Sequence, residues 1–118
     1  MAISVLIVDD HPSFREAATE LLLSQGFDVA GHAADEKEAV AATRRLRPDA
    51  VLLDIHLGEA DGCDVVSTLS PAGIGPRVLL TSSDAGASND ELARQCGAVG
   101  FVAKEELASA DLTRYFVS

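Results

Sequence analysis

Basic residues are scarce in this chain: nine Lys and Arg stand against 19 Asp and Glu, a net charge of −10 over 118 residues. No basic run occurs either, so nothing in the sequence neutralises a phosphate backbone, and direct nucleic-acid binding is set aside. Long apolar runs are missing too, none approaching the ~20 residues of a membrane span. The start, Met1-Ala2-Ile3-Ser4, has no basic segment and no cleavage site, and a cytoplasmic protein is expected. Cysteine is limited to Cys63 and Cys96, both on expected helices and not at metal-ligand spacing. Two thiols make no disulfide framework, so reduced, structural cysteines are expected. Repeats, linkers and low-complexity tracts are absent as well. The chain reads as one domain, residues 1–118, long enough for a real core.

Against these absences stand four short apolar runs, each delivering a chemically useful side chain. Ile3-Ser4-Val5-Leu6-Ile7-Val8 leads into Asp9-Asp10, and Ala50-Val51-Leu52-Leu53 into Asp54. Val78-Leu79-Leu80 leads into Thr81, and Val99-Gly100-Phe101-Val102-Ala103 into Lys104, one of only two lysines. Runs of this kind, separated by helix-like stretches, read as buried parallel strands. Phe27 to Ala33 alternates weakly and reads as a more polar edge strand.

Between the strands lie helical signals. Pro12 suits a first turn, Phe14, Ala17, Ala18, Leu21 and Leu22 repeat at helical spacing, and Gly26 ends the helix. Asp35 and Glu38 form a capping-box variant before an inner face of Ala39, Val40, Thr43 and Leu46. Gly58 to Gly62 reads as a loop, Cys63 to Leu69 as a short helix with Val65 and Val66 inward, and Ser82 to Asn89 as a polar loop. A helix follows around Asp90 to Cys96, and a last one from about Glu105 to Phe116, anchored by Leu107, Leu112 and Phe116. Five βα units predict a doubly wound, flavodoxin-like α/β sandwich with a parallel sheet of order 2-1-3-4-5.

In such a sheet, ligands bind beyond the carboxyl ends of the strands, where Asp9, Asp10, Asp54, Thr81 and Lys104 converge. Three carboxylates within ~4 Å repel pairwise by ~4 kcal/mol at an effective dielectric of ~20. Protons or a cation must neutralise them, and an oxygen-only, open site favours Mg2+. One carboxylate, Asp54, is then placed to attack a phosphoryl group, with Lys104 and Thr81 contacting its oxygens. Taken singly, each residue has a blander reading: Asp9 or Asp10 as a helix cap, Asp54 in a turn, Thr81 as a strand-end hydroxyl, Lys104 as a solvated charge, Phe101 as core. Their joint placement outweighs those readings.

The whole chain resembles the receiver domain of two-component response regulators. The resemblance rests on Val5-Leu6-Ile7-Val8-Asp9-Asp10-His11-Pro12, Pro48 to Asp54, Asp61-Gly62, Thr81-Ser82-Ser83 and Gly100-Phe101-Val102-Ala103-Lys104. It implies that Asp54 is the phosphoacceptor and that Mg2+ is held by Asp10, Asp54 and the main-chain carbonyl of His56, with Asp9 on a metal water. It implies a switch pair, Thr81 and Phe101, with Phe101 turning inward from a more exposed rotamer, and Lys104 as the phosphate contact. The donor would be a sensor histidine kinase or phosphotransfer protein, and the reaction self-phosphorylation and autodephosphorylation, not turnover of a separate substrate. A homodimer formed on phosphorylation belongs to the same expectation, as does an output protein or an output domain of its own.

The Asp-Asp-His-Pro-Ser-Phe-Arg segment is most similar to receivers of helix-turn-helix (LuxR/NarL-type) regulators. Gly58 departs from the proline common in the family, His56 and Ser83 occupy positions that tune phosphoryl lifetime, and His11 reads as a helix-start residue. No output domain follows Ser118, so a stand-alone receiver and one excised from a DNA-binding regulator are both carried forward. A phosphatase with an Asp-x-Asp-x-Thr nucleophile motif does not match Asp9-Asp10-His11-Pro12-Ser13. A flavodoxin-like cofactor binder needs a phosphate-cradling loop where Asp9-Asp10 would repel one. A phosphate-independent docking module sits poorly with the intact acidic set.

Overall fold

The computed structural model describes residues 2–58, 60–71, 74–83 and 90–117. Five parallel strands form the main sheet: β1 (Ser4–Val8), β2 (Asp28–Ala33), β3 (Ala50–Asp54), β4 (Arg77–Ser82) and β5 (Gly100–Ala103). Their order is β2-β1-β3-β4-β5, as expected, with the polar β2 at an edge. Five helices alternate with them: α1 (Pro12–Ser24), α2 (Glu36–Leu46), α3 (Gly62–Leu69), α4 (Asp90–Gln95) and α5 (Thr113–Phe116).

Residue alternation along each strand divides the core in two. Leu6, Val8, Val51, Leu53, Val78, Leu80 and Phe101 face α2, α3 and α4, meeting Ala39, Ala42, Val65, Val66, Leu69 and Ala93. Val5, Ile7, Leu52, Leu79 and Val102 face α1 and the C-terminal segment, meeting Ala18, Leu22, Leu107, Leu112 and Phe116. Both faces of β3 are covered, which is why its sequence is an unbroken apolar run; each such Leu contributes ~1.5–3 kcal/mol on burial. Phe27 and Phe116 close one end edge to face, centroids 5.5 Å apart.

Several local expectations need correction. The last helix is not continuous: a 3-10 turn, Lys104–Glu106, is followed by turns and only then by α5. Leu107 and Leu112 would lie about 140° apart around an unbroken helix. The break lets both reach the core, and the Asp111 carboxylate supports it by accepting the Thr113 N–H at 3.1 Å. Gly58 to Gly62 is not a plain loop, since His56–Leu57 pairs antiparallel with Ala60–Asp61 as a small clip turning on Gly58 at φ +61°. That φ suits glycine and explains the departure from proline, whose ring fixes φ negative. Ser82 ends β4 and is buried, while residues 84–89 of the expected loop lie outside the described residues.

On α2, Asp35 accepts the Glu38 N–H at 2.8 Å and Glu38 accepts the Ala34 N–H at 2.9 Å, so the reciprocal cap forms one residue wider than the standard box. Leu46 is not inside; it lies across Gly31 at the sheet edge, 37% exposed. Ala17 of α1 is exposed as well. The cysteines are not separate thiols: Cys63 and Cys96 are joined in a disulfide, with Cα atoms 5.3 Å apart. α3 and the end of α4 lie side by side, bringing the two within the roughly 4.4–6.8 Å a disulfide spans.

Candidate functional site

Strand register gathers the site. Val8 is paired with Leu53, so Asp9 and Asp54 emerge together from neighbouring strands. Asp54 is itself paired with Thr81, and Ser82 with Ala103, which sets Lys104 at the same end of the sheet. The expected residues Asp9, Asp54, Thr81 and Lys104 therefore meet by geometry of the sheet alone. Asp10, the first residue beyond Asp9, joins them from the rim.

Asp9 is fully buried and Asp54 nearly so, at 4% exposed. Lys104 Nζ lies 2.6 Å from Asp9 Oδ2 and 3.4 Å from Asp54 Oδ2, one ammonium shared by two carboxylates. The same ammonium sits 4.2 Å from the centroid of Phe14, whose ring gives it a cation–π seat. Arg15 donates to the Asp9 carbonyl at 2.6 Å, fixing the start of α1 against the end of β1. The His11 N–H donates to Asp9 Oδ1 at 2.8 Å, and the His56 N–H to Asp54 Oδ1 at 3.0 Å.

These contacts split the two buried acids. Burial pushes the Asp9 carboxyl up, but the bonds from Lys104 and His11 outweigh it and hold the group below the usual carboxylate range. At Asp54 burial prevails over the His56 N–H and the charge of Lys104, and the nearby negative charge of Asp9 adds to it, so its carboxyl stays above that range. One acid is firmly ionised; the other is short of positive charge.

Carboxylate oxygens of Asp9, Asp10 and Asp54 and a ring nitrogen of His11 all lie within 4.8 Å of one another. Three carboxylates with one shared ammonium leave net negative charge, and a hard divalent cation such as Mg2+ fits an oxygen-rich set of this kind. The His56 ring is exposed, consistent with a role through its main chain. Sequence reasoning passed over two contributors. His11 does more than start a helix: its Nδ1 lies 3.0 Å from Asp9 Oδ1 and 2.9 Å from Asp10 Oδ1. Phe14 was read only as helix core; its position two residues after Pro12, in the first turn beyond the acid pair, was the available signal.

Thr81 is fully buried, and its Oγ1 has no hydrogen-bond partner among the described residues. A buried hydroxyl left so costs ~1–3 kcal/mol, and a group retained at that cost invites an explanation in terms of a ligand. Phe101 is already inward, 8% exposed in the cluster that includes Ala93 and Ala98. The expected swing from an exposed rotamer is therefore not its starting point in this structure.

Comparison with known proteins gives a consistent result. The family model of the response regulator receiver domain matches residues 5–115. BvgA of Bordetella pertussis, named as a transcription regulator of virulence factors, is 37% identical over 105 residues, covering 86% of this chain and 49% of that protein. The signal receiver domain of NarL from Mycobacterium tuberculosis superposes with a TM-score of 0.82 at 32% identity, covering 99% of this chain and 98% of that one. A chain from the complex of the CheA3 P1 domain with CheY6 of R. sphaeroides gives 0.73 at 29% identity, covering 86% of this chain and 81% of its own. The chain spans about half the length of the curated relatives it matches.

Proposed function

We propose that this chain, which belongs to the family of response regulator receiver domains, takes a phosphoryl group onto the Asp54 carboxylate and passes the change on through protein contacts. A receiver works in two-component signal transduction; the assignment of Asp54, and of the residues around it, is our own reading. The observation that supports it best is the orphaned Thr81 hydroxyl, on the residue paired with Asp54, with Lys104 on the other side.

An Asp54 oxygen forms the bond to phosphorus as the P–N bond of a phosphohistidine donor breaks. The electron pair leaves with the imidazole, which recovers a proton from water. Lys104 is placed to neutralise the added oxygens, and Thr81 gains the acceptor it lacks. Asp10, Asp54 and the main-chain carbonyl of His56 would hold Mg2+, with Asp9 on a metal water, and the ion would supply positive charge that screens the incoming phosphoryl group from the carboxylates. An acyl phosphate carries about two negative charges in place of one, enough to reset the balance among Asp9, Lys104 and Thr81. Phe101, starting inward, would answer by changing its packing against α4.

The complex of CheY6 with the CheA3 P1 domain supports a histidine kinase or phosphotransfer protein as donor. The reaction is self-modification and its reversal, in the cytoplasm, with a phosphorylation-dependent homodimer among the outputs. The half-length match to BvgA supports a second scope for the same chemistry, a receiver serving a transcription regulator. Incubation with a small acyl phosphate and Mg2+ should add one phosphoryl mass to the wild type and none to Asp54→Asn. Equal adduct on both proteins overturns the assignment.

A further inference from the structure

We propose that Cys63 and Cys96 form a reversible redox site, closed and opened by exchange with a small-molecule disulfide and thiol couple, that sets how far phosphorylation can move α4. The inference rests on the receiver reading above. Disulfides in reducing compartments are usually transient and regulatory, so a bond in a cytoplasmic receiver calls for a role beyond bracing the fold.

Both sulfurs belong to half-buried residues, within reach of a small reagent. Both states are also accommodated: with Cα atoms 5.3 Å apart the bond closes without moving the backbone. Reduced, the Cys96 thiol can donate to the Ala93 carbonyl, 3.3 Å away. The step balances as one thiolate attacking the small disulfide and expelling one thiol, after which the second thiolate displaces the other. Two electrons pass from the cysteines to the reagent.

The position of the bond is what links it to the pocket. Cys63 is the second residue of α3, immediately after Gly62, whose N–H donates to the Ile55 carbonyl at 3.1 Å. A Cβ on Gly62 would stand 2.8 Å from Ile55 Cα, so α3 is pressed directly on the residue after Asp54. The Ile55 N–H in turn donates to the Thr81 carbonyl at 2.9 Å. On the other side, Cys96 directly follows α4, and the Val99 N–H donates to the Val78 carbonyl at 2.8 Å just before β5 carries the chain to Phe101 and Lys104. The bond thus joins two chain paths that both leave the Asp54 pocket, separated by 33 residues in sequence. Closed, it resists displacement of α4 from α3; open, it leaves non-covalent contacts, those around Val66, Ala93 and Gly97 among them, to hold the two.

The full chain is poised with oxidised or reduced glutathione, the redox state is read by thiol labelling, and beryllofluoride with Mg2+ is titrated as the phosphoryl mimic. Oxidation should weaken beryllofluoride binding about fivefold or more, and by reciprocity beryllofluoride should shift the glutathione exchange equilibrium toward the thiols by the same factor. Cys63→Ser should bind as the reduced wild type does under both conditions; Cys96→Ala serves the same purpose should the first variant fold poorly. Equal affinity in the two redox states, or thiols that oxidised glutathione does not join within one chain, overturns the proposal alone. No beryllofluoride response in either state overturns the receiver reading and this proposal with it.

Discussion

Replacing Asp54 by Asn should stabilise the metal-free protein at neutral pH. Lys104, 3.4 Å from Asp54, supplies ~5 kcal/mol of attraction at an effective dielectric of ~20. Asp9, with an oxygen within 4.8 Å, returns ~3.5 kcal/mol or more of repulsion on the same scale, and Asp10, within the same distance but better screened at the rim, adds to it. The charges nearly cancel, and burial decides the sign by holding the Asp54 carboxyl above its ordinary value. A raised folded value means that stability present below the unfolded value is lost as pH rises through the folded one. The amide keeps an acceptor for the His56 N–H, leaves Lys104 with Asp9, and sheds the buried charge. A gain of ~1 kcal/mol, or roughly 3–6 °C in Tm, is expected in EDTA at pH 7. The difference should shrink as falling pH lets the wild type protonate Asp54. Saturating Mg2+ should reverse it, since a ligand at a hundredfold excess over its Kd adds about 2.7 kcal/mol to the protein that binds it. Thermal denaturation across pH, with and without Mg2+, reads all three. An Asp54→Asn protein that melts below the wild type in EDTA at pH 7, or a difference that ignores pH, refutes the reasoning.

Asp9 should behave in the opposite sense. Asp9→Ala strips Lys104 and the His11 N–H of their partner and should cost ~1–3 kcal/mol at pH 7, an effect that fades as pH falls through the depressed folded value of Asp9. Denaturant melts at several pH values check it. Asp10→Ala should abolish the Mg2+-dependent rise in Tm, and a rise of unchanged size removes Asp10 from the metal site. Thr81→Val takes away a hydroxyl with no partner among the described residues, at nearly constant volume, so the resting protein should gain up to ~1 kcal/mol. The same variant should lose most of its beryllofluoride-induced chemical-shift change around residues 78–83, measured against the wild type.

The parts of the fold legible in the sequence were those fixed by burial on both sides. Val5 and Ile7 turn one way and Leu6 and Val8 the other, both into apolar layers, so the strand shows as a plain run ending at Asp9. The site was legible because parallel register carries residues at strand ends to one place without help from side chains. What stayed hidden depended on tertiary neighbours. Nothing in the spacing of Cys63 and Cys96 says that α3 lies against the end of α4. The cation–π seat on Phe14 requires α1 to pack beside β5's exit, and a helical repeat alone assigns that ring to the core. The final helix looked continuous because Leu112 and Phe116 are four apart. Leu107, five before Leu112, is the residue that does not fit, and the chain breaks between them.

The position of the phosphoryl group can be found directly. Protein treated with a small acyl phosphate and Mg2+ is reduced with borohydride, which converts an aspartyl phosphate to an alcohol, and its peptides are sequenced by mass spectrometry. The expected result is conversion at Asp54, in the peptide that carries Val51, Leu52 and Leu53, with Asp9 and Asp10 unchanged. Conversion at Asp9 or Asp10, or at no aspartate in a protein that is folded and binds Mg2+, would contradict the assignment of Asp54.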